Sequence, residues 1–214
     1  MKKLFLLPNL LHEASLWTYT PPLLDALIAE SDKGGWTYLK KFSIPQIPIH
    51  LLNEHTSHPA DLLKIPQESV GLISDAGLPC LADPGSLLVA AAHSQNIPVE
   101  AIPGPCSLTL ALQLSGLTGQ AFTFHGYFPR EEKELIRALR GLTPNMAHLF
   151  IETPYRTEKL FQILLKTLQP HDQLSLALEL MSPQQRVETH PIRAWKNRPA
   201  PTGKPRAVFV IQRG

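Results

Sequence analysis

Apolar residues in this chain come mostly in short runs, each closed by Gly, Pro or charged positions. Such runs mark buried strands, whereas apolar residues spaced at i, i+3 and i+4 mark helices. Residues 4–7, Leu-Phe-Leu-Leu, read as a first strand ending at Pro8. Leu23, Leu24, Leu27 and Ile28 share one helical face, which predicts a helix over 23–30. A second helical piece covers 37–42, after Gly34-Gly35, and 45–59 reads as a loop or a short strand. Residues 70–74 form a buried strand, Ser86 caps a helix over 87–95, and 99–102 is the next strand. The first hundred or so residues thus alternate strand and helix, the pattern of a parallel α/β layer.

The second half keeps the alternation but changes its grain. Ser107 caps a helix running to 115, 121–127 is a strand, and 131–140 is an amphipathic helix. Residues 147–151 form a strand, 156–168 a helix, and 174–180 and 207–212 two more strands, with mixed or antiparallel pairing expected. The stretch 194–206 is polar, Pro-rich and loop-like. The boundary falls within 102–106, where three of five residues are Pro or Gly, giving domains 1–103 and 104–214. The fold class expected is α/β, in two small α/β domains.

Two glycine-proline loops stand where strand hands over to helix. One runs Ser74-Asp75-Ala76-Gly77-Leu78-Pro79-Cys80-Leu81-Ala82-Asp83-Pro84-Gly85, the other Pro103-Gly104-Pro105-Cys106-Ser107. Backbone of this kind lets main-chain N–H groups approach a ligand closely. Their separation, about one strand-helix unit, suggests one bipartite pocket. The plain alternative is that Gly77, Gly85 and Gly104 only let the chain turn.

Composition narrows the field. The start, Met1-Lys2-Lys3 followed by an apolar run, imitates a signal peptide, but Pro8 and Asn9 interrupt it and no cleavage site follows. No run reaches the length of a membrane span. Cys80 and Cys106 offer neither a disulfide framework nor metal spacing, so a cytoplasmic setting is the default. His50, His55 and His58 lie close in sequence without a partnering carboxylate pattern, and no metal is expected. The net charge is only +2, yet after Met181 the residues Arg186, Arg193, Lys196, Arg198, Lys204, Arg206 and Arg213 face only Glu188. Such a block suits a phosphate or nucleic-acid surface, or simply a solvated face. The G-x-G-x-x-G, P-loop, H-E-x-x-H and G-x-S-x-G fingerprints are all absent.

Five ordered strings then carry a resemblance. They are 72–79 continued by Ala82-Asp83-Pro84-Gly85, then 102–107, then Phe124-His125-Gly126-Tyr127-Phe128-Pro129, then Phe150-Ile151-Glu152-Thr153-Pro154-Tyr155-Arg156, then Ala177-Leu178-Glu179-Leu180. Together they resemble the tetrapyrrole-methylase superfamily, within it the branch that methylates a cytidine 2′-hydroxyl of small-subunit ribosomal RNA. Three segments depart from the branch's pattern. Its glycine-bearing "T-P-I-G-N" loop stands as Leu7-Pro8-Asn9-Leu10-Leu11, its "E-D-T-R" as Glu30-Ser31-Asp32-Lys33, and its "K-G-E" turn as Thr202-Gly203-Lys204-Pro205. Members of the branch carry a further C-terminal region beyond the point corresponding to Gly214.

The resemblance implies S-adenosylmethionine as methyl donor, folded into a cleft between two α/β domains, with no metal. It assigns Pro8, Asp75, Gly77, Leu78, Leu81, Cys106, Ser107, Glu152, Glu179 and Leu180 to cofactor binding. Glu152 and Lys33 are the candidates for a catalytic group. Ribosomal RNA or the small subunit is the implied partner, and a homodimer the implied assembly. A methyltransferase acting on a tetrapyrrole or other small molecule, and an RNA-binding homologue without turnover, remain the alternatives.

Overall fold

The computed structural model describes residues 1–214. The chain divides into two compact units, Met1–Cys106 and Ser107–Gly214.

The first unit is built on five parallel strands: β1 (Lys3–Leu6), β2 (Ala26–Ala29), β3 (Ile49–Leu51), β4 (Ser69–Leu72) and β5 (Val99–Ala101). Their spatial order is β3-β2-β4-β1-β5. Helices α1 (Asp32–Lys41) and α2 (Ser86–Ser94) cover opposite faces. Leu4, Ile28, Val70 and Leu72 pack with Leu88 and Ala92 of α2. Phe5, Leu7, Leu27 and Ala29 pack with Tyr38 and Leu39 of α1. Successive strand residues point to opposite faces, so a sheet covered on both sides needs continuous apolar runs.

That logic corrects the helix expected over 23–30. Ala26–Ala29 is a fully buried strand, while Leu23 is 93% exposed and so lies on no apolar face. Asp25 fixes the strand's entry by accepting the Ser69 N–H at 2.8 Å. The first helix also begins earlier than the glycine pair suggested. Ser31 caps α1 by accepting the Gly34 N–H at 3.0 Å, and both glycines lie inside the helix. Gly85, with φ of 135°, occupies the N-cap of α2 in place of Ser86.

The second unit pairs β6 (Phe122–Tyr127), β7 (Ala147–Glu152), β8 (Gln173–Leu178), β9 (Arg186–Pro191) and β10 (Ala207–Gln212) in the order β6-β7-β10-β8-β9. Only β6 and β7 run parallel; the other pairings are antiparallel. Helices α4 (Glu132–Arg140), α5 (Thr157–Thr167) and α6 (Ile192–Trp195) cover one face, closing a core with Phe150, Leu176, Trp195 and Phe209. Helix α3 (Ser107–Ser115) packs on the face formed by β8, β9 and β10. Strand β9 was not foreseen, because Arg-Val-Glu-Thr-His-Pro lacks an apolar run. It forms at the sheet edge, where one polar face can meet water.

Candidate functional site

In the first unit, three loops meet at the carboxyl ends of β1, β4 and β5, the place where open α/β sheets hold ligands. The loop at 8–9 is tied to the loop at 74–85 by one residue, Asn9. Asn9 donates its backbone N–H to the Gly77 carbonyl at 2.7 Å. Its Nδ2 donates to the carbonyls of Ser74 at 2.9 Å and Asp75 at 3.1 Å. The third loop closes on the first through Gly104, where a Cβ would sit 2.1 Å from the Pro8 Cβ. Gly104 is therefore required by packing against Pro8, a constraint its sequence context did not reveal.

The loop at 74–85 is held in costly backbone. Gly77 and Gly85 have φ of 75° and 135°, and the non-glycine residues Cys80 and Ala82 have φ of 69° and 68°. Left-handed conformations at such residues cost about 1–3 kcal/mol each and concentrate at ligand loops. Two anchors hold the loop's start. Glu30 accepts the Asp75 N–H at 3.0 Å, and the Ser74 hydroxyl donates to the Ala76 carbonyl at 3.1 Å. The Asp75 carboxylate lies against the first turn of α1; a Cβ on Gly34 would be 2.5 Å from its Oδ1. The positive end of a helix dipole favours a carboxylate there. Thus Glu30-Ser31-Asp32-Lys33, although far from "E-D-T-R", still fastens α1 to this loop. Lys33 occupies the same turn with its side chain exposed.

Negative charge accumulates around the loop. Burial pushes the Asp83 carboxyl up to about 6, with the neighbouring Glu30 and Asp75 charges adding to the rise. Burial also raises Glu30, opposed by its bond from the Asp75 N–H. Cys80 is raised by burial and by Asp83. Pro8, Asp75, Gly77 and Leu78 belong to this loop cluster, with Leu81 exposed in it and Cys106 buried at the end of the third loop. Ser107 is the first residue of α3.

In the second unit, register gathers a second set. Glu152 pairs with Ala207, Ala207 with Leu178, and Leu178 with Arg186, one row across four strands. Beyond that row lie Thr153-Pro154-Tyr155-Arg156, Glu179-Leu180-Met181 and Gly203-Lys204-Pro205-Arg206. Glu179, Met181 and Lys204 have φ of 46°, 60° and 55°. Glu179 and Leu180 are consequently turn residues, beyond the end of the strand expected to contain them. Glu179 Oε1 accepts the Arg206 N–H at 2.7 Å, and its Oε2 accepts from the guanidinium at 2.8 Å.

Glu152 differs. Its Oε1 accepts the Thr153 N–H at 2.7 Å. Its Oε2 is buried and accepts no hydrogen bond, with only the Arg156 guanidinium nearby at 3.5 Å. A buried carboxylate oxygen without a donor is costly, and it fits a ligand that brings one.

The basic block after Met181 does not survive as one face. Arg186, Arg198 and His190 surround Glu188, and Arg206 holds Glu179. Arg213 donates to the Arg140 and Leu142 carbonyls and faces Asp172. Arg193 donates its N–H to the Pro170 carbonyl, at the end of the sheet opposite Glu152. Arg156 stands in a string that carries the resemblance and Arg206 in the basic block, but neither was assigned to the cofactor site; the structure sets them against Glu152 and Glu179.

The fold sets the class first: a parallel α/β unit with ligand-type loops at its strand ends, followed by a mixed α/β unit. Solved structures share it. Diphthine synthase matches with a TM-score of 0.65 over 100% of this chain and 90% of its own, at 16% identity. Uroporphyrin-III C-methyl transferase from Thermus thermophilus, complexed with S-adenyl homocysteine, matches with a TM-score of 0.51 over 98% of this chain and 97% of its own, at 16% identity. Residues 52–195 match the model of the Tetrapyrrole (Corrin/Porphyrin) Methylases, and this chain belongs to that family. Its relatives include proteins named "Ribosomal RNA small subunit methyltransferase I". The one from Thermotoga maritima is 33% identical over 62% of this chain and 61% of its own length. The one from Xylella fastidiosa is 36% identical over 61% of this chain and 49% of its own. The one from Coprothermobacter proteolyticus is 30% identical over 77% of this chain and 76% of its own. The chain thus spans about half to three fifths of the length of the first two.

Proposed function

We propose that this chain transfers a methyl group from S-adenosylmethionine to a ribose 2′-hydroxyl of small-subunit ribosomal RNA. The observation that carries the reading is the shared name of the relatives at 30–36% identity quoted above. The residues proposed to bind the cofactor are Pro8, Asp75, Gly77, Leu78, Leu81 and Cys106 from the first unit, and Ser107, Glu152, Glu179 and Leu180 from the second. The fit is chemical. The donor carries an ammonium group, ribose hydroxyls and an adenine, and these call for carboxylates, backbone partners and an apolar slot. Asp75 offers an exposed carboxylate, Glu152 Oε2 a buried oxygen lacking a donor, and Leu78 and Leu81 apolar surface.

When bound, the cofactor supplies an electrophilic methyl group on its sulfonium. The protein's share is orientation, exclusion of water and handling of the hydroxyl proton. The three loops of the first unit are pinned to one another by Asn9 and Gly104, and Glu30 ties the second of them to the end of β2, so they form a prepared surface. Of the two catalytic candidates, Glu152 has the chemistry of a proton acceptor, through Oε2. Lys33 has that of a cation set against a developing alkoxide.

The cellular setting proposed is the cytoplasm, where ribosomal subunits are found; no helix is long and apolar enough to cross a membrane. The assembly proposed is a homodimer, and light scattering showing a monomer at micromolar concentration would remove it. The macrocycle alternative draws support from the ion pairs that consume much of the basic block. A single experiment separates the readings: transfer of labelled methyl to stripped small subunits, to free ribosomal RNA and to tetrapyrrole precursors. Label in RNA ribose is expected. Label only in the macrocycle, or in neither with intact cofactor binding, overturns the proposal.

A further inference from the structure

Tyr155 is 79% exposed, at the end of the second unit's sheet that carries Glu152 and Glu179. A ring of that size would contribute about 1.5–3 kcal/mol if buried, so leaving it in water forgoes real stability. Its surroundings are specific. The Lys204 ammonium stands 4.7 Å from the ring centroid. Lys204 itself sits in a turn bent sharply by left-handed Gly203 and Lys204, with φ of 81° and 55°. Lys204 takes part in no ion pair, unlike Arg186, Arg198 and Arg206 in the same stretch of chain. Arg156, which follows Tyr155, lines a groove between α4 and α5 together with the exposed cations Arg130 and Lys159 and with Glu132.

An exposed ring beside cations is the surface that single-stranded nucleic acid uses: a base stacks on the aromatic face while phosphates meet the charges. We infer that Tyr155 and Lys204 form a stacking platform for one unpaired base of the RNA substrate, with Lys204 set to meet an adjacent phosphate. This rests on the RNA reading above and deepens it, moving the RNA contact from the paired C-terminal arginines to the loops at 153–156 and 203–206. Base stacking of this kind is sequence-tolerant, so the platform would hold the strand and leave base identity to other contacts.

The probe is a fluorescently labelled single-stranded RNA of about a dozen mixed bases, read by anisotropy across a salt series; one site spans roughly that length or less. S-adenosylmethionine binding is measured by calorimetry on the same preparations. Tyr155→Ala is expected to weaken RNA binding roughly 5- to 150-fold, the range of one lost base stack. Tyr155→Phe is expected to stay within about twofold of wild type, because the ring face is kept. Lys204→Gln is expected to lower the slope of log affinity against log salt by about 0.7, one single-strand phosphate contact. Cofactor affinity should be unchanged in Tyr155→Ala and Tyr155→Phe, whose ring is largely in solvent.

RNA binding equal to wild type in Tyr155→Ala overturns the platform and leaves the RNA reading standing if wild type still methylates RNA. Phe and Ala equally weak also overturns it, since the hydroxyl rather than the ring face would then be at work. Wild type that binds cofactor and a tetrapyrrole but no RNA overturns both.

Discussion

Gly34→Ala separates the cofactor reading from ordinary stability because it should displace a proposed ligand group while leaving the fold nearly as stable. Gly34 lies in the first turn of α1, where alanine is favoured over glycine by up to about 1 kcal/mol. The added Cβ would stand 2.5 Å from Asp75 Oδ1, and ordinary contact begins at 3.4 Å, so the carboxylate must retreat by about 0.9 Å. Asp75 is exposed and its carboxylate ends a flexible side chain, so the retreat costs the fold little. It is fatal to a hydrogen bond that needs its acceptor within about 3.2 Å. If Asp75 holds a charged donor group of the cofactor, the loss is about 1.5–3 kcal/mol, or roughly 10- to 150-fold in affinity. The neighbouring Gly35 is the control. A Cβ there meets Ile49 Cδ1 at 2.8 Å and Cγ2 at 3.0 Å, an apolar collision that does not involve Asp75. Gly35→Ala should lower stability by about 1–3 kcal/mol in denaturant melts while calorimetry finds cofactor affinity unchanged. The Cβ added at Gly34 also stands 3.0 Å from the capping Ser31 Oγ, which offsets the gain in helix propensity, so Gly34→Ala should melt within about 1 kcal/mol of wild type and bind the cofactor at least tenfold more weakly. Unchanged affinity in Gly34→Ala would refute the role given to Asp75, and parallel losses in both variants would reduce the argument to stability alone.

Three further outcomes are expected. Because the folded pKa of Asp83 lies at about 6, above its ordinary 3.8, the folded state holds a proton that the unfolded chain releases first. Stability should therefore fall as pH rises from near 4 through 6, and Asp83→Asn should flatten that slope; identical melting profiles for the two would discount the charge cluster. Glu152→Gln keeps an acceptor for the Thr153 N–H but gives up the Arg156 ion pair, so it should lose less stability than Glu152→Ala, which strands that N–H as well and should cost about 1–3 kcal/mol; calorimetry should find cofactor binding weakened in both. Gly104→Ala drives a Cβ to 2.1 Å from the Pro8 Cβ and should cost about 1–3 kcal/mol while displacing the first loop; a melt within about 0.5 kcal/mol of wild type would show that the loops separate freely.

The sequence by itself determined the alternation of strands and helices, the change from a parallel to a mixed sheet, and the two loops at strand ends. These rest on local causes: Gly and Pro punctuation, and apolar runs whose length matches a buried strand. Where a cause was not local, the tertiary structure decided. Ala26–Ala29 satisfies both helical and strand spacing, and it became a strand because β3 and β4 offer their edges on either side and helices cover both faces. Gly34 and Gly35 read as helix breakers, yet each stands inside α1 to admit a side chain distant in sequence, Asp75 or Ile49. Arg186, Arg198, Arg206 and Arg213 read as free cations until folding set Glu188, Glu179 and Asp172 against them. Strand register alone gathered Glu152, Glu179 and Lys204 at one end of a sheet, since hydrogen-bonded pairing aligns residues that the chain holds tens of positions apart.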